Sequence, residues 1–167
     1  MIFFRFAFLI SALAITVPGY GSICERTKDV VDALESAVLK DCHSIAASDL
    51  ALIAGLKLSK KMISHLKDGD FDGLSSLDGL NLSNNHLTLL SENIFRGLGS
   101  LSILQLEGNQ LVSLPENTFD GLTTLKMLTL YDNQIKSLSE NIFCGSRSLV
   151  YLNLNHNSLN FISHKHF

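Results

Sequence analysis

Residues 101–135 read LSILQLEGNQLVSLPENTFDGLTTLKMLTLYDNQI. Leu101, Leu104, Leu106, Asn109 and Leu111 return 24 residues later as Leu125, Leu128, Leu130, Asn133 and Ile135. The same step runs outward in both directions, so internal repetition decides the fold before any local propensity does. Asn85, Asn109, Asn133 and Asn157 form one row; Phe71, Phe95, Phe119, Phe143 and Phe167 form another. Five further rows are apolar and begin at Leu77, Leu80, Leu82, Leu87 and Leu90. Seven rows kept over four copies exclude coincidence. One period earlier, Ile53, Leu56, Leu58, Ile63, Leu66 and Phe71 still occupy the apolar positions, but Lys61 stands where Asn is expected. A degenerate first copy suits a terminal repeat, which has no neighbour on one side.

The residue types give each copy a shape. In Leu80-Asn81-Leu82, alternation at period two marks a short strand with both leucines inward. Each copy then makes one coil, with its strand parallel to the next at about 4.8 Å. The chain must turn sharply after each strand. A buried Asn amide both donates to and accepts from backbone groups exposed there. Asp would bring a buried charge, and Leu would satisfy nothing. The Phe row is expected to stack as a spine on the opposite side.

The pattern L-x-x-L-x-L-x-x-N-x-L resembles the leucine-rich repeat family in its 24-residue extracellular type. The resemblance covers roughly residues 50–167. It implies an α/β solenoid, a curved right-handed coil of about five turns with short parallel strands on the concave face.

Composition agrees with a folded domain. The chain has 167 residues, 46% hydrophobic and 17% charged, too apolar for intrinsic disorder. A net charge of -3 gives no electrostatic reason to expect nucleic acid or an anionic membrane. Residues 1–21 read as a secretory leader. Arg5 is followed by 12 uncharged residues from Phe6 to Val17, short of the roughly 20 a spanning helix needs. Pro18 and Gly19 break the run, and cleavage is expected near Gly21–Ser22. A lipid anchor on Cys24 is disfavoured because Ile23 precedes it. No second apolar run is long enough to span a bilayer, which points to a secreted, periplasmic or cell-surface protein.

Residues 22–49 read as a helical N-terminal cap. In TKDVVDALESAVLK (27–40), Val30, Leu34 and Val38 lie four apart, flanked by Val31 and Ala37, with Thr27 as N-cap. A second turn is expected to start at Ser48-Asp49 and stop by Gly55. Cys24 and Cys42 flank the first helix, and export makes a disulfide between them the expected state. Its loop of about 19 residues is worth roughly 3 kcal/mol. This one-helix, two-cysteine layout looks more like bacterial exported repeat proteins, including the caps of internalin-like surface proteins, than the four-cysteine animal cap. Cys144 is left over. It stays a free thiol, pairs with another chain, or pairs with a missing C-terminal cap.

No capping segment follows Phe167, and Ser146 replaces the leucine of Leu98 and Leu122. The expectation is a fragment, or a protomer that covers this end by self-association. His164-Lys165-His166 has too few neighbouring ligands to make a metal site. Asn81-Leu82-Ser83 is a glycosylation triplet in form, read as a by-product of the repeat.

Between the inward leucines, the remaining strand positions face outward. These are Gly79, Ile103, Met127 and Tyr151, then Asn81, Gln105, Thr129 and Asn153, then Ser83, Glu107, Tyr131 and Asn155. Ile103, Met127 and Tyr151, with Tyr131 adjacent, form an apolar column among polar side chains. Anchors inside a polar rim are what protein interfaces use. The candidate ligand face is therefore Ile103, Gln105, Glu107, Met127, Thr129, Tyr131, Tyr151, Asn153 and Asn155. Its ligand would be a protein, or less readily a glycan. No catalytic, phosphate-binding or cofactor motif is present, and no histidine has a nucleophile at recognisable spacing. Three uses remain in view: an exported recognition module, a self-associating adhesive fragment, or the targeting domain of a truncated effector.

Overall fold

A computed structural model describes residues 22–160; residues 1–21, read above as a leader, and Ile162, Phe167 and the His164–His166 triplet lie outside them. A single 3-10 turn at Ile23–Glu25 leads into helix α1, Lys28–Val38, and the short helix α2, Ala47–Leu50. Five three-residue strands follow: β1 Gly55–Lys57, β2 Gly79–Asn81, β3 Ile103–Gln105, β4 Met127–Thr129 and β5 Tyr151–Asn153. They form one parallel sheet in chain order. The register is one whole period per strand, so Leu56, Leu80, Leu104, Leu128 and Leu152 pair in sequence. The chain is thus a solenoid of short parallel strands, as the periodicity predicts.

The repeated leucines are the core. Leu77, Leu80, Leu82 and Leu87 are buried, as are their counterparts in the next two coils. On the side away from the sheet, Phe71, Phe95, Phe119 and Phe143 stack with ring centroids 6.2, 6.4 and 6.0 Å apart and planes within 17°. Ser146, where the leucine row fails, is also buried, and its hydroxyl donates to the Phe119 carbonyl.

The Asn row ties coils together as well as closing its own turn. Asn109 Nδ2 donates to Leu106 O of its own coil and to Leu82 O of the preceding one, both at 3.0 Å. Its Oδ1 accepts from Leu87 N at 3.1 Å. Asn133 repeats this with Leu106 O, Leu130 O and Leu111 N, and Asn157 with Leu130 O, Leu154 O and Ile135 N. Asn85 reaches back to Leu58 O, Lys61 N and Ile63 N. The first coil therefore does without its own Asn because the second coil's amide serves it. The residue before each of these positions is left-handed: Lys60, Asn84, Gly108, Asp132 and His156 all have φ between 52 and 66°. Asn, Gly, Asp and His are the types that tolerate this region; Lys60 is the exception, again in the degenerate coil.

The cap packs on β1. Val30, Val31 and Leu34 are buried and Val38 partly so, whereas Ala37 is exposed. Cys24 and Cys42 are joined by a disulfide. Thr27 does occupy the N-cap, yet its side chain makes no bond to the helix. It turns to Asp70 instead. The fully buried Asp70 carboxylate accepts from Thr27 N at 2.7 Å, Thr27 Oγ1 at 2.5 Å and Lys67 N at 2.8 Å. Arg26 donates to Asp70 O and Asp72 O, and burial lowers its pKa against the pull of both acids. This latch fastens the cap to the first coil. Helix α2 starts one residue before the expected Ser48. Its Asp49 carboxylate accepts from Ala46 N and from Lys40 Nζ, and the bond from Lys40 is the main reason the carboxyl lies below the usual aspartate range.

Candidate interaction surface

Because the leucines of each strand point inward, the intervening side chains stand on the open face of the sheet. Ile103, Met127 and Tyr151 are cross-strand neighbours, and they are 38%, 36% and 47% exposed. The apolar column is therefore continuous across β3, β4 and β5. Tyr131, two residues beyond β4, is half-buried, as are Gln105 and Asn153, while Asn155 is exposed. Glu107 and Thr129 differ. They are only 7% and 8% exposed, and Thr129 Oγ1 donates to Glu107 Oε2. Their polar ends are occupied with each other, so the outward-facing set centres on the apolar column and its amides.

At the cap end the same face sinks. The column continues from Ile103 to Gly79 and Gly55, which carry no side chain. The result is a groove of about 690 Å3. Its floor is Gly55, Leu56, Gly79, Leu80 and Asn81. Asp32, Ala33, Ser36 and Ala37 of α1 make one wall, Ile103 and Gln105 the other, and Lys57 and Lys61 also line it. In the sequence Gly79 stands only as the first member of the row that continues with Ile103, and the α1 wall facing it lies more than 40 positions away. The free counterpart of this signal was the row itself, which holds large side chains in three coils and none in two.

Other candidates are accounted for structurally. Cys24, Cys42 and His43 cluster, but the two sulfurs are bonded to each other and leave no pair of thiolates for a metal. A polar hollow lined by Arg26, Lys67, Asp70, Asp72, Asn93 and Arg96 surrounds the latch. Asn81 Oδ1 accepts from Ser83 N, and Ser83 is buried, so the glycosylation triplet is engaged in the turn. Cys144 is exposed and free, near Asn141. No helix among the described residues is long and apolar enough to cross a membrane.

The family model described as "Leucine rich repeat" matches residues 53–111 and 99–159. The chain belongs to the leucine-rich repeat family. Among solved structures, this repeat chain is similar to the leucine-rich repeat domain of APL1B, with a TM-score of 0.65 and 22% identity over 70% of this chain and 35% of that one. It is also similar to a chain of the Toll–Spatzle complex, described as a hub in Drosophila development and innate immunity, with a TM-score of 0.59 and 29% identity over 60% of this chain and 13% of that one. The repeat protein thus spans about a third of the first chain and far less of the second. Among curated proteins, none matches the sequence. The first of these is a leucine-rich repeat domain, and neither likeness speaks for the bacterial exported type suggested by the cap.

Proposed function

We propose that this leucine-rich repeat protein is an exported, non-enzymatic recognition module that binds a protein partner on the open, concave face of its sheet. The observation that carries the reading is the column Ile103, Met127 and Tyr151, exposed in register and bordered by amides. Large exposed side chains at the centre of a polar surface are the usual anchors of protein contacts, and Met adapts its shape to a partner. The disulfide fits an oxidising compartment. One structural neighbour is a chain of the Toll–Spatzle complex, which supports a protein as ligand class.

The test is a photoreactive phenylalanine analogue placed at Tyr151, with one at Glu116 on another surface as control. In extracellular fluid of the source, Tyr151 should give a discrete protein adduct and Glu116 none. The purified adduct partner should then lose binding to the Tyr131→Ala, Tyr151→Ala double variant by more than about tenfold, with unchanged melting. Equal labelling from both positions, or undiminished affinity, refutes the reading. Self-association is the competing use: Val150 is 86% exposed beside β5, and sedimentation across a range of concentrations separates a monomer from an assembling chain.

A further inference from the structure

We propose that the groove between α1 and strands β1–β3 seats one bulky apolar side chain of an acidic partner segment, whose flanking carboxylates lie against Lys57 and Lys61. The inference deepens the contact-surface reading and rests on it.

The first argument concerns two glycines that the fold does not require. Neither Gly55 nor Gly79 has the left-handed φ that favours glycine, and a Cβ built on either meets no atom within 4 Å. The same register position holds Ile103, Met127 and Tyr151 in the later coils. Glycine inside a strand weakens it, and a larger residue would pack better on a pleated surface. What these glycines provide is space above the sheet. The facing wall of α1 keeps that space open with short side chains, Ala33, Ser36 and Ala37. A volume of about 690 Å3 falls in the range of sites that accept an inserted group, and pockets for large side chains are where interface energy concentrates.

Charge selects the occupant. Lys57 and Lys61 line the groove, and Lys60 is exposed beside them. The ion pairs among the described residues are Lys28–Asp32, Lys40–Asp49 and His43–Asp41, none of which uses these three lysines. The one acid in the lining, Asp32, is held by Lys28 at 2.8 Å, and that bond raises the Lys28 pKa. The rim is therefore basic in a chain whose net charge is -3. An apolar anchor with carboxylates on either side meets both features. A basic segment meets only the first, and a nucleic acid only the second.

The test uses fluorescein-labelled pentapeptides in an anisotropy titration: a central Phe flanked by two Glu on each side, the same with central Ala, and the central Phe flanked by Lys. A labelled single-stranded oligothymidine is the polyanion control. The Phe-centred acidic peptide should bind the wild-type chain more than about tenfold tighter than the other three probes. Gly79→Leu fills the groove from the floor and Ala37→Phe from the exposed wall; each should reduce that affinity by about tenfold or more without lowering the melting temperature. Lys57→Gln with Lys61→Gln should weaken that binding and reduce its salt dependence. Equal binding of the Phe and Ala peptides, tighter binding of the oligonucleotide, or undiminished binding by both filled variants overturns the proposal. A partner captured at Tyr151 but indifferent to Gly79→Leu removes the groove and leaves the wider surface standing. No capture at Tyr151 together with no peptide binding removes both.

Discussion

At the residue scale, the Asn amide carries more than its own turn. Asn133 satisfies the carbonyls of Leu106 and Leu130 and the N–H of Leu111, drawn from two successive coils. Asn133→Ala should leave these buried groups unpaired and cost about 1–3 kcal/mol in chemical denaturation; Asn133→Asp should cost no less, because it adds a buried charge. Unchanged midpoints would show that water replaces the amide. Asp70 is the second such residue. It holds three donors in a fully buried position, so Asp70→Ala should cost about 3 kcal/mol or more. The two differ in legibility. Asn133 is visible from sequence because it recurs every 24 residues beside leucines. Asp70 occurs once, and its partners Arg26 and Thr27 lie more than 40 positions away; nothing in local pattern links them. Glu107 and Thr129 show the same limit on the open face. Their rows were readable as outward, but the bond that turns one toward the other joins neighbouring coils.

At the element scale, the cap is held by three different means. Val30 and Leu34 bury an apolar stripe, the Arg26–Asp70 latch binds the helix start, and the disulfide joins the segments on either side of α1. Cys24→Ser with Cys42→Ser should lower stability by roughly 3 kcal/mol, and reductant should lower the wild-type melting temperature to match. If the pair of substitutions leaves melting untouched, the latch and stripe suffice alone. The helix was legible from its four-residue spacing, and the bond from the flanking cysteines. The groove was not, because its two walls come from different elements and its floor from missing side chains. Thr27 was placed correctly as the N-cap residue, but its hydroxyl serves the first coil rather than the helix.

At the scale of the whole molecule, contacts run between neighbours. Each strand pairs with the next in sequence, each ring with the next ring, and each amide with the coil before it. Stability in such a chain is a sum of coil and interface terms. Deleting residues 81–104, one full period, should leave a folded protein with one strand fewer; circular dichroism and cooperative melting would show it. Deleting residues 81–92, half a period, should abolish cooperative melting, since the amides and leucines then meet the wrong partners. Equal behaviour of the two deletions would contradict the register seen between strands.

The backward reach of the side-chain amides has one last consequence. Each newly synthesised turn brings the donor that completes its predecessor, so growth of such a chain during synthesis stabilises what has already left the ribosome. The same wiring restricts how a gene of this kind can change length: additions that survive are whole units of 24 codons, and the frame of side chains, not only the reading frame, has to be preserved.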